Sequence, residues 1–294
     1  MSVGLIGLGR MGRGIAGSLI RAGQSVIVFN RTAERTRELA PAGAQAARSI
    51  AEVCQTEAVL TMVADDKALE SVVFDEPGLR SSLPAGVPHF SLSTISVELS
   101  ERLAREHAGA GQLFVAAPVF GRPQAAEAGQ LTVVAAGPAA VIEKHRPMLG
   151  AFASKLVVMG EAPAQAATVK LLGNFLIASM IESLAEMVAL ARRSGLDPDQ
   201  VLELLTTSLF PAPIYKTYGK LIIEARHEPP GFTVRLGLKD VGLVLAAAEA
   251  RGVAMPLADL VRDRLQAAVA RGLGDLDWSA LGRVASEASG RNSS

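Results

Sequence analysis

The chain has 294 residues, of which 49% are hydrophobic, 4% aromatic and 20% charged. This composition excludes a disordered or fibrous protein, and the length suits two domains with separate cores better than one. Its 29 Lys and Arg residues balance 29 Asp and Glu residues, so no global field would attract a nucleic acid or an anionic membrane.

Three features bear on the cellular compartment. Cys54 is the single cysteine, which excludes an internal disulfide and fits a reducing compartment. No basic segment precedes an apolar one at the N-terminus, so a signal peptide is not expected. The longest apolar stretch of the second half, residues 171–181, is shorter than the roughly 18 residues of a membrane span. We expect a cytoplasmic protein with neither nucleic acid nor membrane as a partner.

Through about residue 160, short β-branched runs alternate with helical ones. This alternation predicts an α/β domain, residues 1–162, with a doubly wound, mostly parallel sheet and ligands at the carboxyl ends of its strands. The predicted strands lie near residues 3–6, 26–29, 58–63, 88–92, 113–115, 131–135 and 155–158.

The first predicted strand runs directly into a G-x-G-x-x-G turn that opens a helix. Gly7 allows the tight turn, Gly9 lets the backbone approach phosphates, and Gly12 lets the helix pack on the strand. The helix N-terminus adds unpaired N–H donors that suit an anion. We expect the turn to bind a dinucleotide pyrophosphate through Gly7, Leu8, Gly9, Arg10, Met11 and Gly12.

The end of the second predicted strand indicates which dinucleotide binds. An NAD-preferring site usually has Asp or Glu there, whereas this chain has Asn30 followed by Arg31 and Thr32. Asn30 can bond the ribose, and Arg31, Thr32 and Arg35 supply donors and positive charge that suit a 2′-phosphate. The sequence therefore predicts NADP (NADPH) as the cofactor.

From Pro163 onward, strand signals almost vanish. Apolar periodicity predicts an all-helical domain, residues 163–294, which opens with a long helix that joins it to the first domain. The predicted helices lie near residues 164–193, 197–207, 213–225, 236–251, 256–270 and 277–287. Their apolar surface exceeds what a small helical domain can bury, so we expect a homodimer or homotetramer formed through this half.

The long helix carries a candidate proton donor. Lys170 and Asn174 are four residues apart and therefore lie on the same helix face, among apolar neighbours. A partly desolvated lysine is a good proton donor near neutral pH, and Asn174 can hold the reacting oxygen. On the residues alone, an ordinary surface or capping pair is an equally good interpretation.

Five ordered motifs, together with a late Lys-Asp pair at residues 239–240, span nearly the whole chain. The motifs occupy residues 7–12, 62–66, 93–96, 117–119 and 170–174. Their order and spacing resemble the β-hydroxyacid dehydrogenase family, which includes 3-hydroxyisobutyrate dehydrogenases, tartronate semialdehyde reductases and glyoxylate/succinic semialdehyde reductases.

The resemblance implies an N-terminal Rossmann domain, a helical C-terminal domain and a nicotinamide-dependent oxidoreductase. It implies that Lys170 is the catalytic acid and base, and that Val63 and Ala64 line the cofactor. It also implies that Thr94 lies near the nicotinamide and the substrate, and that Lys239 covers the cofactor.

The chain departs from the family at the segment expected to hold the substrate. Where members typically read Asp-Ala-Pro-Val-Ser-Gly-Gly, residues 116–122 read Ala-Ala-Pro-Val-Phe-Gly-Arg. Phe120 replaces the serine that would hold a carboxylate, which suggests a bulkier or less acidic substrate than glyoxylate. Arg122 can bind a carboxylate, reach the cofactor phosphate or point to solvent. The expected substrate-binding residues are Thr94, Phe120, Gly121, Arg122, Asn174 and Phe232.

Three functions remain open from the sequence. The first is an NADPH-dependent reductase of small aldehyde or keto acids, which in reverse is a hydroxyacid dehydrogenase. The second is an imine reductase, favoured by the loss of the serine and disfavoured by Lys170. The third is a non-catalytic NADP(H)-binding protein. No metal is expected, because the four histidines are scattered without ligand spacing.

Overall fold

The computed structural model describes residues 1–288 of the chain. By packing, the chain divides into two compact units, Met1–Lys170 and Leu171 onward. Each is described by itself below. The division lies within a long helix, and the domain boundary expected between residues 162 and 163 stays a prediction.

A single sheet organises the first unit. Among the described residues its strands are β1 (Ser2–Ile6), β2 (Ser25–Phe29), β3 (Gln45–Ala46), β4 (Ala58–Thr61), β5 (Pro88–Ser91), β6 (Leu113–Ala116), β7 (Val119–Phe120), β8 (Leu131–Ala136) and β9 (Ala153–Gly160). The order is β3-β2-β1-β4-β5-β6-β8-β7, and β9 also pairs with β8. Strands β1 to β6 pair in parallel, whereas β8 is antiparallel to β6 and β7. The predicted mostly parallel, doubly wound sheet is confirmed.

Helices cover both faces of this sheet. They are α1 (Arg10–Arg21), α2 (Glu34–Arg37), α3 (Ile50–Val53), α4 (Asp66–Phe74), α5 (Leu79–Ser82), α6 (Val97–Gly109), α7 (Pro123–Glu127), α8 (Ala139–Lys144) and α9 (Arg146–Gly150). Because successive strand residues point to opposite faces, Leu5 and Leu60 enter one core cluster while Ile6 and Val59 enter the other. A sheet buried on both faces explains why its central strands are continuously apolar.

Two of the strands, β3 and β7, are absent from the sequence-based prediction. Each has only two residues, which is too short for an alternating pattern to be recognised. β7 nevertheless matters for the site, because it carries Phe120 and pairs it with Thr132 of β8.

A chain of buried polar side chains crosses the first unit between β4, β5 and α6. Thr61 Oγ1 lies 2.9 Å from His89 Nε2, His89 Nδ1 lies 2.9 Å from His107 Nε2, and His107 Nδ1 lies 2.7 Å from Gln112 Oε1. Gln112 Nε2 donates to the Leu83 carbonyl, so its Oε1 accepts from His107. Burial lowers the pKa of both rings, which favours their neutral forms; with the proton of each ring on Nδ1, His89 donates to His107 and Thr61 donates to His89.

The second unit is helical, as the prediction required. The long helix α10 (Pro163–Arg193) spans the division, and it is followed by α11 (Pro198–Ser208), α12 (Pro213–Ile223), α13 (Val234–Glu249), α14 (Pro256–Ala270) and α15 (Leu281–Ala288). Pro198, Pro213 and Pro256 stand at the starts of their helices, where a missing N–H costs nothing.

By length and composition alone, α10 is long and apolar enough to cross a membrane. The expectation from residues 171–181, that the apolar stretch is too short for a span, is therefore wrong for the helix as a whole, which has 31 residues. Of its apolar 18-residue segment, 61% is buried inside the protein, and a buried core helix can have the same length and composition.

Candidate dinucleotide-binding and catalytic site

Two glycines of the first turn are required by the protein's own packing. Gly7 has φ +99°, and a Cβ built on it would lie 2.3 Å from the Met62 carbonyl oxygen. A Cβ on Gly12 would lie 2.0 Å from the Gly7 carbonyl oxygen, so any side chain there would separate α1 from β1. These contacts give Gly7 and Gly12 the turn and packing roles expected from the sequence.

Gly9 differs, because nothing in the protein requires it to be glycine. It is the N-cap of α1 with φ −64°, and a Cβ built on it meets no atom within 4 Å. The absent side chain leaves a cradle in front of the helix N-terminus, and the first turn of α1 holds no acidic residue. A phosphate group fits this cradle, where backbone N–H groups and the helix dipole favour negative charge.

A pocket of about 480 Å³ lies at the carboxyl ends of β1, β2 and β4. It brings together seven of the predicted cofactor residues: Gly7, Gly9, Asn30, Arg31, Thr32, Val63 and Ala64. Arg35 also lines it, so two arginines contribute to the part of the pocket that follows β2. Its volume suits a small-molecule ligand, and its position is the one where open α/β sheets bind nucleotides.

Asn30 ties the glycine turn to the segment that carries the arginines. Its Oδ1 accepts a hydrogen bond from the Leu8 N–H at 2.9 Å, and its Nδ2 donates to the Thr32 carbonyl at 3.0 Å. The amide therefore bridges the two halves of the pocket wall. An aspartate could not make the second of these bonds, because it has no donor when ionised.

The other four predicted residues of the glycine turn do not line the pocket, and neither do Thr94 and Lys239. The Leu8 side chain is fully buried in the core, and Met11 packs against the same core. Arg10 is exposed at the start of α1, and Gly12 is buried beneath the turn. The structure thus gives Leu8 and Met11 a packing role for their side chains.

Sequence reasoning missed the wall that α4 contributes. The additional lining residues are Ala68, Ser71 and Val72 on α4, and Asp75 and Pro77 in the segment that follows it. Asp65 is the residue from which this wall could have been predicted, because an aspartate shortly after a strand is a typical helix N-cap. It caps α4 by accepting a hydrogen bond from the Ala68 N–H at 2.8 Å. A helix that begins just beyond a parallel strand contributes to the same edge of the sheet.

Ser93 is a second residue that the prediction did not assign. Its Oγ accepts a hydrogen bond from the Val63 N–H at 2.9 Å, which holds the loop after β5 against the pocket wall. Thr94, the next residue, is half-buried between β5 and α6. Through Ser93, the loop that carries Thr94 is therefore tied to Val63, and the predicted role of Thr94 near the nicotinamide and the substrate stays a prediction.

The structure also brings Lys170 and Phe120 together. Lys170 is only 8% exposed, and its Nζ lies 4.1 Å from the centroid of the Phe120 ring. Its position follows from the first turns of α10, where Ala166 is fully buried in the core of the first unit and Val169 packs against that core. The desolvated environment expected for this lysine is present.

Gly121 and Arg122 follow Phe120 in a constrained turn. Gly121 has φ +140°, and a Cβ on it would lie 2.5 Å from Leu131 Cδ2. Arg122 is half-buried and is the N-cap of α7. The substrate contacts expected for Gly121 and Arg122 stay predictions.

In the second unit, Asn174 and Lys239 share one carboxylate. Asn174 Nδ2 donates to Asp240 Oδ2, and Lys239 Nζ lies 2.9 Å from Asp240 Oδ1. Asp240 is 1% exposed and Asn174 is 3% exposed. The motif at residues 239–240 was recognised in the sequence. The sequence did not predict that Asp240 holds the side-chain amide of Asn174.

Phe232 has a packing role within the second unit. Its ring centroid lies 4.6 Å from that of Trp278, and its N–H donates to Asp277 Oδ2 at 3.3 Å. Trp278 in turn donates from Nε1 to the Tyr218 hydroxyl at 2.8 Å. The substrate contact expected for Phe232 stays a prediction.

Among residues 1–288, no group of three or more His, Cys, Asp or Glu side chains lies close enough together to hold a metal ion.

A doubly wound sheet with a phosphate cradle and a basic pocket at its switch point defines a dinucleotide-binding protein. Comparison with known proteins identifies the class further. A family model described as the NAD binding domain of 6-phosphogluconate dehydrogenase matches residues 2–160. A second, described as NAD-binding of NADP-dependent 3-hydroxyisobutyrate dehydrogenase, matches residues 164–285. The chain belongs to the β-hydroxyacid dehydrogenase family, and it is an NAD(P)-dependent oxidoreductase of the hydroxyacid dehydrogenase class.

Similarity to individual proteins extends over almost the whole chain. An uncharacterized oxidoreductase, YfjR of Bacillus subtilis, is 42% identical over 96% of this chain and 98% of its own length. Glyoxylate/succinic semialdehyde reductase 1 of Arabidopsis thaliana is 34% identical over 96% of this chain and 97% of its own. The crystal structure of a 3-hydroxyisobutyrate dehydrogenase from Salmonella typhimurium superposes with a TM-score of 0.87 at 29% identity, covering 97% of this chain and 99% of that one.

Proposed function

We propose that this protein transfers a hydride between NADP(H) and a small aldehyde or keto acid, or the corresponding hydroxyacid, with Lys170 as general acid and base. The observation that carries the proposal is the buried ammonium of Lys170, in the same compact unit as the dinucleotide pocket. The nicotinamide cofactor supplies the hydride in reduction and accepts it in oxidation.

Lys170 moves the proton that must accompany the hydride. In reduction its Nζ donates a proton to the carbonyl oxygen as that oxygen becomes a hydroxyl, and in oxidation the neutral amine takes the proton back. Asn174, one turn further along α10, is suited to orient the reacting oxygen. Because Asp240 accepts from Nδ2, the Asn174 amide is held in one orientation.

The proposal of NADP rests on the end of the pocket beyond β2. Arg31 and Arg35 line it, and Asn30 stands where an NAD site usually has a carboxylate. Guanidinium groups bind phosphate by charge-assisted, often bidentate, hydrogen bonds. The match of the second unit to a family described as NADP-dependent points the same way.

The turn after β7 is the proposed place for the acid group of the substrate. Thr94, Gly121 and Arg122 offer a hydroxyl, a backbone N–H and a guanidinium, which are suitable donors to a carboxylate. The Phe120 side chain has no hydrogen-bond donor. It therefore favours the alternative of an imine reductase, since an imine substrate needs no group that binds a carboxylate. The name of the Arabidopsis relative, a glyoxylate/succinic semialdehyde reductase, favours the acid.

The test is NADPH oxidation by the purified protein with glyoxylate, succinic semialdehyde, other short aldehyde acids and a cyclic imine. We expect turnover of at least one acid, with kcat/KM for NADPH at least about tenfold above that for NADH, because one phosphate ion pair contributes on the order of 1.4 kcal/mol or more. Turnover of the imine alone would contradict the proposed substrate class. Tight NADPH binding with no turnover would favour a non-catalytic protein.

Matched arginine variants test the cofactor assignment. The double variant Arg31→Ala/Arg35→Ala should lose most of the preference for NADPH while its use of NADH changes little. Arg37→Ala is the control, because Arg37 lies on the same short helix α2 but does not line the pocket. An equal loss of NADPH preference in both proteins would show that general positive charge, rather than these two side chains, determines the preference.

A further inference from the structure

The Phe120 ring faces the Lys170 ammonium, and the proposed proton transfer does not itself require a ring there. The 4.1 Å between Nζ and the ring centroid is well inside the roughly 6 Å limit of a cation–π interaction. Lys170 is buried, so little water competes for the ammonium. Such a contact is stronger in a desolvated setting than on an exposed surface.

The two side chains come from separate elements, each fixed by its own packing. β7 pairs Phe120 with Thr132, and the following turn at Gly121 is closely packed against Leu131. The first turns of α10 are anchored by the fully buried Ala166. The contact between ring and ammonium is therefore built into the fold of the first unit rather than depending on a flexible loop.

We propose that Phe120 is a positioning residue for Lys170, whose ring face holds the charged ammonium in the direction from which it donates its proton. The inference rests on the proposed role of Lys170. The negative face of the ring attracts an ammonium but not a neutral amine, so the contact favours the protonated form and fixes the direction of Nζ. A leucine would fill much of the same space without this attraction.

The inference also explains how the chain can function without a hydroxyl at position 120. The side chain there acts on Lys170 rather than on the carboxylate of the substrate. Recognition of the acid is left to Thr94, Gly121 and Arg122, so we expect Phe120→Leu to change kcat more than KM for the acid.

The primary test is a pH titration of Lys170 by NMR in protein labelled with ¹³C-lysine, with the resonance assigned by its loss in Lys170→Arg. In Phe120→Leu the titration midpoint should fall by about 0.4 to 1.5 pH units, which corresponds to the usual strength of a cation–π contact. Phe120→Tyr keeps the ring and should return the midpoint toward that of the unchanged protein.

Phe74→Leu is the matched control. Its ring contacts a different cation in the same unit, with Arg102 Cζ 4.4 Å from the ring centroid, and it lies outside the proposed site. The substitution removes the same kind of interaction and should leave the Lys170 midpoint unchanged.

Two outcomes would overturn the inference: an unchanged midpoint in Phe120→Leu, or a shift in Phe120→Tyr as large as that in Phe120→Leu. The titration needs no turnover, so it is separable from the proposed function. If Lys170→Ala retained full activity, the proposed function would fail, whereas an unchanged midpoint in Phe120→Leu would remove only the role of Phe120. If the proposed function and the role of Phe120 both hold, the pH profile of kcat should shift in Phe120→Leu in the same direction as the titration midpoint of Lys170.

Discussion

At the scale of single residues, the three glycines of the first turn have different roles: Gly7 and Gly12 are required by packing, whereas Gly9 leaves space for a ligand. Gly12 has no room for a Cβ, because the Gly7 carbonyl oxygen would lie 2.0 Å away, whereas Gly9 has open space around it. The sequence motif predicted a packing role for Gly12 and a phosphate-binding role for Gly9, because these are the usual roles of the motif's glycines. The distances around the two glycines now give a physical reason for the different roles.

This difference predicts opposite behaviour for two alanine variants. Gly12→Ala should lower the free energy of unfolding by at least about 2 kcal/mol, since backbone must move to accept the methyl group. Gly9→Ala should unfold like the unchanged protein yet bind NADPH at least about tenfold more weakly, because the methyl group occupies the phosphate cradle. Urea unfolding and fluorescence titration with NADPH measure the two effects. Weak binding without loss of stability in Gly12→Ala would contradict the account.

Asn30 shows what a sequence motif leaves open at this scale. Its position after β2 predicted a contact with the cofactor, and the residue does line the pocket. Its bonds to Leu8 and Thr32 depend on how two loops meet in space, which no local pattern encodes. The bond between Ser93 and Val63 was hidden for the same reason, since its partners are 30 residues apart.

At the scale of elements, long periodic segments were predicted well and short ones were not. The apolar periodicity of α10 predicted a helix near residues 164–193, and the helix spans Pro163–Arg193. β7 has two residues and owes its existence to pairing with β8, which is a tertiary effect. This limit affects the candidate site, because the position of the Phe120 ring beside Lys170 could not be predicted from the sequence of β7 or of α10 alone.

The buried chain of histidines makes the stability of the protein depend on pH. Burial lowers the pKa of His89 well below its usual value and lowers that of His107, and burial lowers the pKa of His227 in the second unit to about 4. Below about pH 6.5 the unfolded chain therefore binds more protons than the folded one. Their contribution to stability is present above that pH and is lost as the pH falls.

We expect the free energy of unfolding in urea to fall by at least about 1.4 kcal/mol between pH 7 and pH 5 at constant ionic strength. Protonation of His107 would place an N–H on its Nε2, so the hydrogen bond in which His89 donates to His107 would be lost. His107→Asn should reduce the pH dependence. A stability that is constant or rises as the pH falls would contradict the inferred neutral tautomers.

At the scale of the whole molecule, length and composition predicted two domains, and hydrophobic patterning predicted one α/β and one helical domain. The structure has an α/β unit and a helical unit. Leu172, Leu176 and Leu190 are exposed on α10 at helical spacing, which keeps the predicted homodimer or homotetramer as a proposal. Family motifs in the sequence predict which residues carry the chemistry, and those roles stay predictions. The sequence could not name the substrate, because the segment after β7 departs from the family.

The central claim is that Lys170 is the proton donor of an NADPH-dependent reduction. The most direct test compares NADPH oxidation by Lys170→Ala with that by the unchanged protein, using an aldehyde acid that the unchanged protein reduces. We predict that kcat falls by about 10² to 10⁴ fold while the Kd for NADPH stays within about twofold, as expected for loss of a general acid. Turnover close to that of the unchanged protein, or loss of NADPH binding in its place, would contradict the account.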